Sequence, residues 1–247
     1  MSVQPLLQLR DVSKSFRGLM AVSQVSLEVG DGEVVGLIGP NGAGKTTVFN
    51  LISGFLCPDE GEILFRGHSL VGHKPHQVCR LGLARTFQIV KPFGNLNVLE
   101  NVAVGAFNRF PSIAEAEAKA WETLQLIGLE HKAFQPANSL TTPDRKRLEL
   151  ARALATGPKL LLLDEVMAGL NPSEKFRMTD LVRKIRSRGV AVLIIEHAMR
   201  VIMELSDRIY VLNYGRCICA GPPHTVCNNA QVIEAYIGKG YAEGRGP

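Results

Sequence analysis

The chain has 247 residues, 46% of them apolar, a formal charge of +5 and five cysteines. Such a length buries a full core as one large domain, and no apolar run approaches the ~20 residues that span a bilayer. An odd cysteine count without C-x-x-C spacing argues against a disulfide framework or a zinc site, and the first residues lack a signal-peptide profile, so the chain is expected in the cytosol unless a partner holds it at a membrane.

The first third reads as short strands. Leu7-Gln8-Leu9-Arg10, Val25-Ser26-Leu27-Glu28-Val29 and Ile63-Leu64-Phe65 place apolar residues between turn signals such as Gly30-Asp31-Gly32. Between them, Glu33-Val34-Val35-Gly36-Leu37-Ile38 is a β-branched, apolar run that predicts a buried strand. It leads into Gly39-Pro40-Asn41-Gly42-Ala43-Gly44-Lys45-Thr46-Thr47, which has the P-loop spacing G-x-x-x-x-G-K-[ST]. A helical pattern from Val48 follows and is stopped by Gly54. A glycine turn between a strand and a helix N-terminus makes a concave anion site. Asn41, Gly42, Ala43, Gly44 and Thr47 supply its backbone, Lys45 reaches the β- and γ-phosphates, and the Thr46 hydroxyl ligates Mg²⁺. These residues imply a nucleoside triphosphate site.

His68, His73 and His76 lie in a polar stretch and read as loop surface. The middle of the chain turns helical: Ser112-Ile113-Ala114-Glu115 is a capping box, and Ile113, Ala116, Ala120, Trp121, Leu124 and Ile127 follow at helical spacing up to Gly128, with Trp121 read as core. The last third alternates strand and helix. Leu160-Leu161-Leu162-Leu163 is an apolar strand, and Asn171-Pro172 opens a helix carrying Phe176, Leu181, Val182 and Ile185. Arg183 to Arg188 forms a solvated basic face on it. Residues 190–195 and Ile209-Tyr210-Val211-Leu212 are further strands, and Cys217 and Cys219 are expected on one face of another as small core residues. Fully apolar strands separated by helices predict a parallel sheet covered on both faces. Residues 238–247 read as a flexible tail.

In an open parallel sheet, ligands bind beyond the carboxyl ends of the strands. Asp164 and Glu165, ending the Leu160 strand, therefore belong beside the P-loop. Asp164 suits the holding of Mg²⁺, and Glu165 suits the orientation and deprotonation of an attacking water. His197, after Ile194-Ile195-Glu196, projects at the same edge and has the hydrogen-bonding capacity to reach a γ-phosphate.

Taken in order, these motifs resemble the ATP-binding cassette (ABC) ATPases over nearly the whole chain. The resemblance implies an α/β fold: a P-loop NTPase (RecA-like) core with a mostly parallel sheet, an N-terminal antiparallel β region and an inserted helical subdomain. It implies one domain, with 1–90 and 159–237 as the nucleotide-binding core and 91–158 as the helical subdomain. Phe16 matches the aromatic that stacks on adenine, with Val22 beside it, and Gln88 in Arg85-Thr86-Phe87-Gln88 matches the glutamine that touches Mg²⁺. Ala168-Gly169-Leu170-Asn171 matches the loop that crosses the dimer interface. ATP and Mg²⁺ are the implied ligands, and Lys45, Gln88, Glu165 and His197 the implied catalytic set.

Within the family, Leu83 to Gln88, Leu99-Glu100-Asn101-Val102 and Val232 to Gly238 look like the ATPase subunits of branched-chain and other hydrophobic amino-acid importers. A lipopolysaccharide-exporter ATPase shares much of this pattern. Soluble ABC ATPases that act on nucleic acid or the ribosome are the other alternative, but they usually carry two cassettes or a long insertion, so no nucleic acid is expected. The implied partners are transmembrane permease subunits, with Lys91 to Leu96 as a docking segment, a second ABC ATPase and, indirectly, an extracytoplasmic solute-binding protein. The implied location is the cytoplasmic side of the inner membrane.

One motif departs. Where the family has Leu-Ser-Gly-Gly-Gln, this chain has Leu140-Thr141-Thr142-Pro143-Asp144. Thr141 keeps a hydroxyl at the nucleotide-facing position, but Pro143 has no N–H to give and Asp144 is expected to repel a phosphate. A heterodimer with unequal ATP sites is the expected consequence.

Overall fold

A computed structural model describes residues 4–237, so the tail expected at 238–247 lies outside the described residues. Strands β1 (Leu7–Phe16), β2 (Leu19–Val29) and β3 (Val34–Ile38) precede helix α1 (Lys45–Ile52). There follow β4 (Glu60–Phe65), β5 (His68–Ser69), α2 (Pro75–Leu81) and β6 (Leu83–Arg85). Three helices come next: α3 (Val98–Ala106), α4 (Ile113–Ile127) and α5 (Thr142–Ala155). The described residues close with β7 (Leu160–Asp164), α6 (Pro172–Ser187), β8 (Ala191–Ile195), α7 (Met199–Leu205), β9 (Arg208–Asn213), β10 (Arg216–Gly221), α8 (Pro223–Cys227) and α9 (Ala230–Ile237).

The central sheet has six strands in the order β10-β9-β3-β8-β7-β6. All its pairings are parallel except β10 on β9. Its period of two sorts the core. Val34, Leu161, Leu163, Val192 and Ile194 face the helical layer that includes α3, α5 and α6. Val35, Leu37, Leu160, Leu162 and Leu193 face α1 and the antiparallel sheet β2-β1-β4-β5. β3, β7 and β8 are buried on both faces and are apolar along their length except for Asp164 at the end of β7. Gly36 lets α7 approach β3, since a Cβ there would meet Ser206 Oγ at 2.9 Å and Ile202 Cγ2 at 3.1 Å.

Several expected core positions lie elsewhere. On α4 the buried stripe is Ala116, Ala120, Leu124 and Ile127. Trp121, one residue and about 100° around the helix from Ala120, stands partly exposed against the outer ring of Phe134. Ile113 and Phe176 are exposed as well. Cys217 and Cys219 do not share a face: a register shift between them turns Cys217 toward one core cluster and Cys219 toward the other. The basic residues of α6 are solvated and paired, Arg183 with Glu204 and Arg186 with Asp207.

Candidate nucleotide site

Strand β3 aims Gly39 at the sheet's carboxyl edge, and α1 begins at Lys45. The turn between them depends on glycine. Gly39 has φ 150° and a Cβ there would fall 2.1 Å from Leu212 O, while Gly44, at φ 103°, would meet Ala21 O at 2.6 Å. Residues 41–47, with Ala21 and Glu165, enclose a cleft of about 210 Å³. Lys45 is buried and donates from Nζ to the carbonyls of Gly39 (2.7 Å) and Pro40 (2.9 Å). Burial lowers its pKa, and the charges of Glu165 and Asp164 pull it back up. A cation held only by carbonyls, at the mouth of a glycine turn, fits a phosphate.

The two acids are held differently. Asp164, at the end of β7, is buried, and its Oδ2 takes a 2.8 Å ion pair from Arg85. Thr86 Oγ1 accepts its backbone N–H at 3.2 Å. Glu165 sits in a left-handed turn at φ 50°. Gln88 donates from Nε2 to its Oε2 at 2.7 Å, and His197 Nε2 lies 2.8 Å from its Oε1. Gln88, Glu165 and His197 are thus brought together, with Glu165 and Lys45 lining one cleft. Thr46, Asp164 and Gln88 each carry an oxygen of the kind Mg²⁺ takes; Thr46 lines the cleft, while Asp164 is paired with Arg85 and Gln88 with Glu165.

The ABC transporter family profile matches residues 22–168. The chain belongs to the ABC transporter family. It is 42% identical over 252 residues to the high-affinity branched-chain amino acid transport ATP-binding protein LivG of Escherichia coli strain K12, covering 96% of this chain and 99% of that one. The lipopolysaccharide export system ATP-binding protein LptB of Acidithiobacillus ferridurans is 35% identical over 234 residues, covering 94% and 97%. A crystal structure of an ABC transporter's ATP-binding cassette in its ADP conformation superposes with a TM-score of 0.87 at 31% identity, covering 96% of this chain and 100% of that one.

Other expected site residues of this ABC cassette lie outside the P-loop cleft. Phe16, 42% exposed with the Lys14 ammonium 5.9 Å from its ring, ends β1 at the turn whose continuation, Ala21, lines the cleft. Val22 has no exposed surface and packs in the core beneath Gly44, so it supports the loop and presents nothing to a ligand. Thr141 lines a separate hollow of about 450 Å³ with Pro143 and Asp144. Its hydroxyl donates to Asp144 Oδ2 at 2.9 Å.

Asp144 overturns the expected repulsion. Its side chain is turned inward and buried, bonded by Lys132 Nζ at 2.5 Å and by Arg147. Burial acts to raise its pKa, but the hydrogen bonds from Lys132 and Thr141 and the charges of Arg147 and Lys132 outweigh it and hold the carboxyl below its ordinary range. One anion between two cations presents no net negative charge to a phosphate. Pro143 remains the departure, in the first turn of α5 and without an N–H.

Three further residues shape the site without belonging to a sequence motif. Arg85 holds Asp164; Lys146 and Glu196 hold the backbone around Glu165. The one available signal was proximity, since Arg85 is three residues before Gln88 and Glu196 directly precedes His197.

Proposed function

We propose that this chain is the ATP-hydrolysing subunit of an importer of branched-chain or other hydrophobic amino acids. It works at the cytoplasmic side of the inner membrane with transmembrane permease subunits, a second cassette and, through the permease, an extracytoplasmic solute-binding protein. The observation that carries this reading is the meeting of Lys45 and Glu165 on one cleft, with both Glu165 oxygens fixed by Gln88 and His197. Likeness to LivG over nearly the full length of both chains supports the substrate class.

The chemistry divides among fixed groups. Lys45 and the amides of residues 41–47 bind the β- and γ-phosphates, and Phe16 offers a ring to the adenine. Thr46, Asp164 and Gln88 would hold Mg²⁺, which when bound neutralises charge on the phosphate oxygens. Water attacks the γ-phosphorus, its proton passes to a Glu165 oxygen, and the bond to the ADP oxygen breaks. Gln88 and His197 keep that carboxylate aimed before the water arrives.

A groove of about 250 Å³ between β6 and α5, lined in part by Phe55, Phe87 and Arg152, would take a cytoplasmic helix of the permease. Arg152 also bonds the Lys91 carbonyl at 3.2 Å and lies 4.7 Å from the Phe93 ring, which sets residues 91–96 along its flank. Affinity purification of the full chain from membranes should recover permease subunits, and leucine uptake into vesicles should require the chain and ATP. Recovery of RNA or DNA without a permease would overturn the reading.

A further inference from the structure

The turn that bears Glu165 is fixed by side chains that the hydrolytic chemistry does not use. A non-glycine residue at φ 50° is strained and persists only where its surroundings over-determine it. Three bonds do so here. Ile195 O accepts the Glu165 N–H at 3.0 Å. Lys146 donates from Nζ to the Glu165 carbonyl at 3.2 Å. Glu196 Oε1 accepts the Met167 N–H at 2.7 Å. Lys146 and Glu196 are both buried, 9% and 4% exposed, and their opposite charges act on one another across the turn.

The two side chains come from different places. Glu196 directly follows β8 and is joined to His197, so the segment leaving one strand fixes both the backbone and the side chain of the Glu165 turn. Lys146 is the fifth residue of α5, the helix that begins with Thr142 and Pro143. The resemblance to ABC ATPases implies that each ATP site joins one cassette's P-loop to the other's signature segment, so that helix end would face the nucleotide of a second cassette, whereas Glu165 would act on the nucleotide held by this chain's own P-loop.

We infer that Lys146 and Glu196 are positioning residues that set the Glu165 turn, and that Lys146 links the helix facing one ATP to the acid acting on the other. A helix moves nearly as a rigid body, so displacement of its first turn is carried to Lys146 and from its Nζ to the Glu165 carbonyl. This inference rests on the proposed ATPase reading.

The test uses the full chain in its assembled complex, measuring turnover, ATP affinity, the Hill coefficient for ATP and the melting temperature. Lys146→Met keeps the apolar stem and removes the donor. It should lower kcat roughly tenfold or more with the ATP dissociation constant within about twofold, and bring the Hill coefficient toward one. Lys146→Arg, which restores a cation and donor, should recover most of both. Glu196→Gln keeps an acceptor for Met167 N–H but removes the charge; it should lower kcat by a smaller factor, and it decides the matter by the same readouts if Lys146→Met does not fold. Unchanged kcat and Hill coefficient in Lys146→Met, beside a wild type that hydrolyses ATP, would overturn the inference. So would parallel loss of affinity, turnover and melting temperature that arginine does not restore. A wild-type complex that binds but never hydrolyses ATP sinks the ATPase reading instead.

Discussion

Arg85 joins the buried acid of the site to the aromatic lining of the groove behind it. Its guanidinium bonds Asp164, Asn50 Oδ1 (2.7 Å) and Ser53 Oγ (3.1 Å), and lies 5.3 Å from the Phe87 ring, 5.5 Å from Phe49 and 6.0 Å from Phe55. Both partners of the Arg85–Asp164 pair are nearly out of water, with side chains 7% and 6% exposed. Removing one member leaves the other as an unpaired buried charge, which costs far more than the net worth of the pair. Arg85→Met should therefore destabilise the chain by about 3–5 kcal/mol, read from a denaturant midpoint. Arg85→Lys keeps the charge but not the planar fork or the stacking, and should fall between. A loss below ~1 kcal/mol in Arg85→Met would mean that water or another cation satisfies Asp164.

At the scale of elements, β1 is latched to the start of β4 by Asp59. Its carboxylate accepts Lys14 Nζ at 2.5 Å and, through the other oxygen, Ser15 N–H at 2.7 Å and Ser15 Oγ at 2.9 Å, which fixes the strand end that carries Phe16. The hydrogen bond from Lys14, then those from Ser15, hold the Asp59 pKa down to about 2 from an ordinary 3.8. A depressed carboxyl pKa contributes stability above the unfolded value and loses it as pH falls through the folded value. Asp59→Asn should thus melt below the wild type near neutral pH, with the gap closing as pH falls from about 4 toward 2. A gap that stays constant through that window would detach the latch from the ionised carboxylate.

Elements whose signals are local were legible in the sequence. The β3–glycine turn–α1 unit, the β7 strand ending at Asp164 with Glu165 directly after it and the Asn171 cap of α6 each depend on spacing or on residues within one turn, and each stands where that spacing places it. What escaped depends on distant neighbours. Asp144 is neutral in effect because Lys132 folds onto it from outside α5, and the Cys217–Cys219 expectation fails on a bulge set by pairing with β9. Helical spacing alone includes Trp121 in the core, but the Ala116–Ala120–Leu124 stripe already fills the buried face of α4. The family resemblance implies Val22 beside the nucleotide, whereas burial puts it in the core.

For the whole molecule, the inward turn of Asp144 removes the electrostatic half of the case for unequal ATP sites and leaves the missing N–H of Pro143. If pairing is with a second cassette that carries an intact signature, inactivating Glu165 here should remove most turnover, and the matching change in the partner should cost less. Pro143→Gly alone should raise turnover at the partner's site. Replacing Asp144 as well should not help, because Lys132 and Arg147 would then share no counter-ion. Equal losses from the two glutamate changes would return the assembly to two equivalent sites.

The hydrolytic role proposed for the chain depends on Glu165 acting as the base of an ATP site built on Lys45. The most direct test measures ATP binding and steady-state hydrolysis side by side for the wild-type chain and Glu165→Gln, which keeps the side chain's shape and an acceptor for Gln88. ATP affinity should be retained while turnover falls by ~10²-fold or more. Tight ATP binding with turnover near that of the wild type would contradict the account.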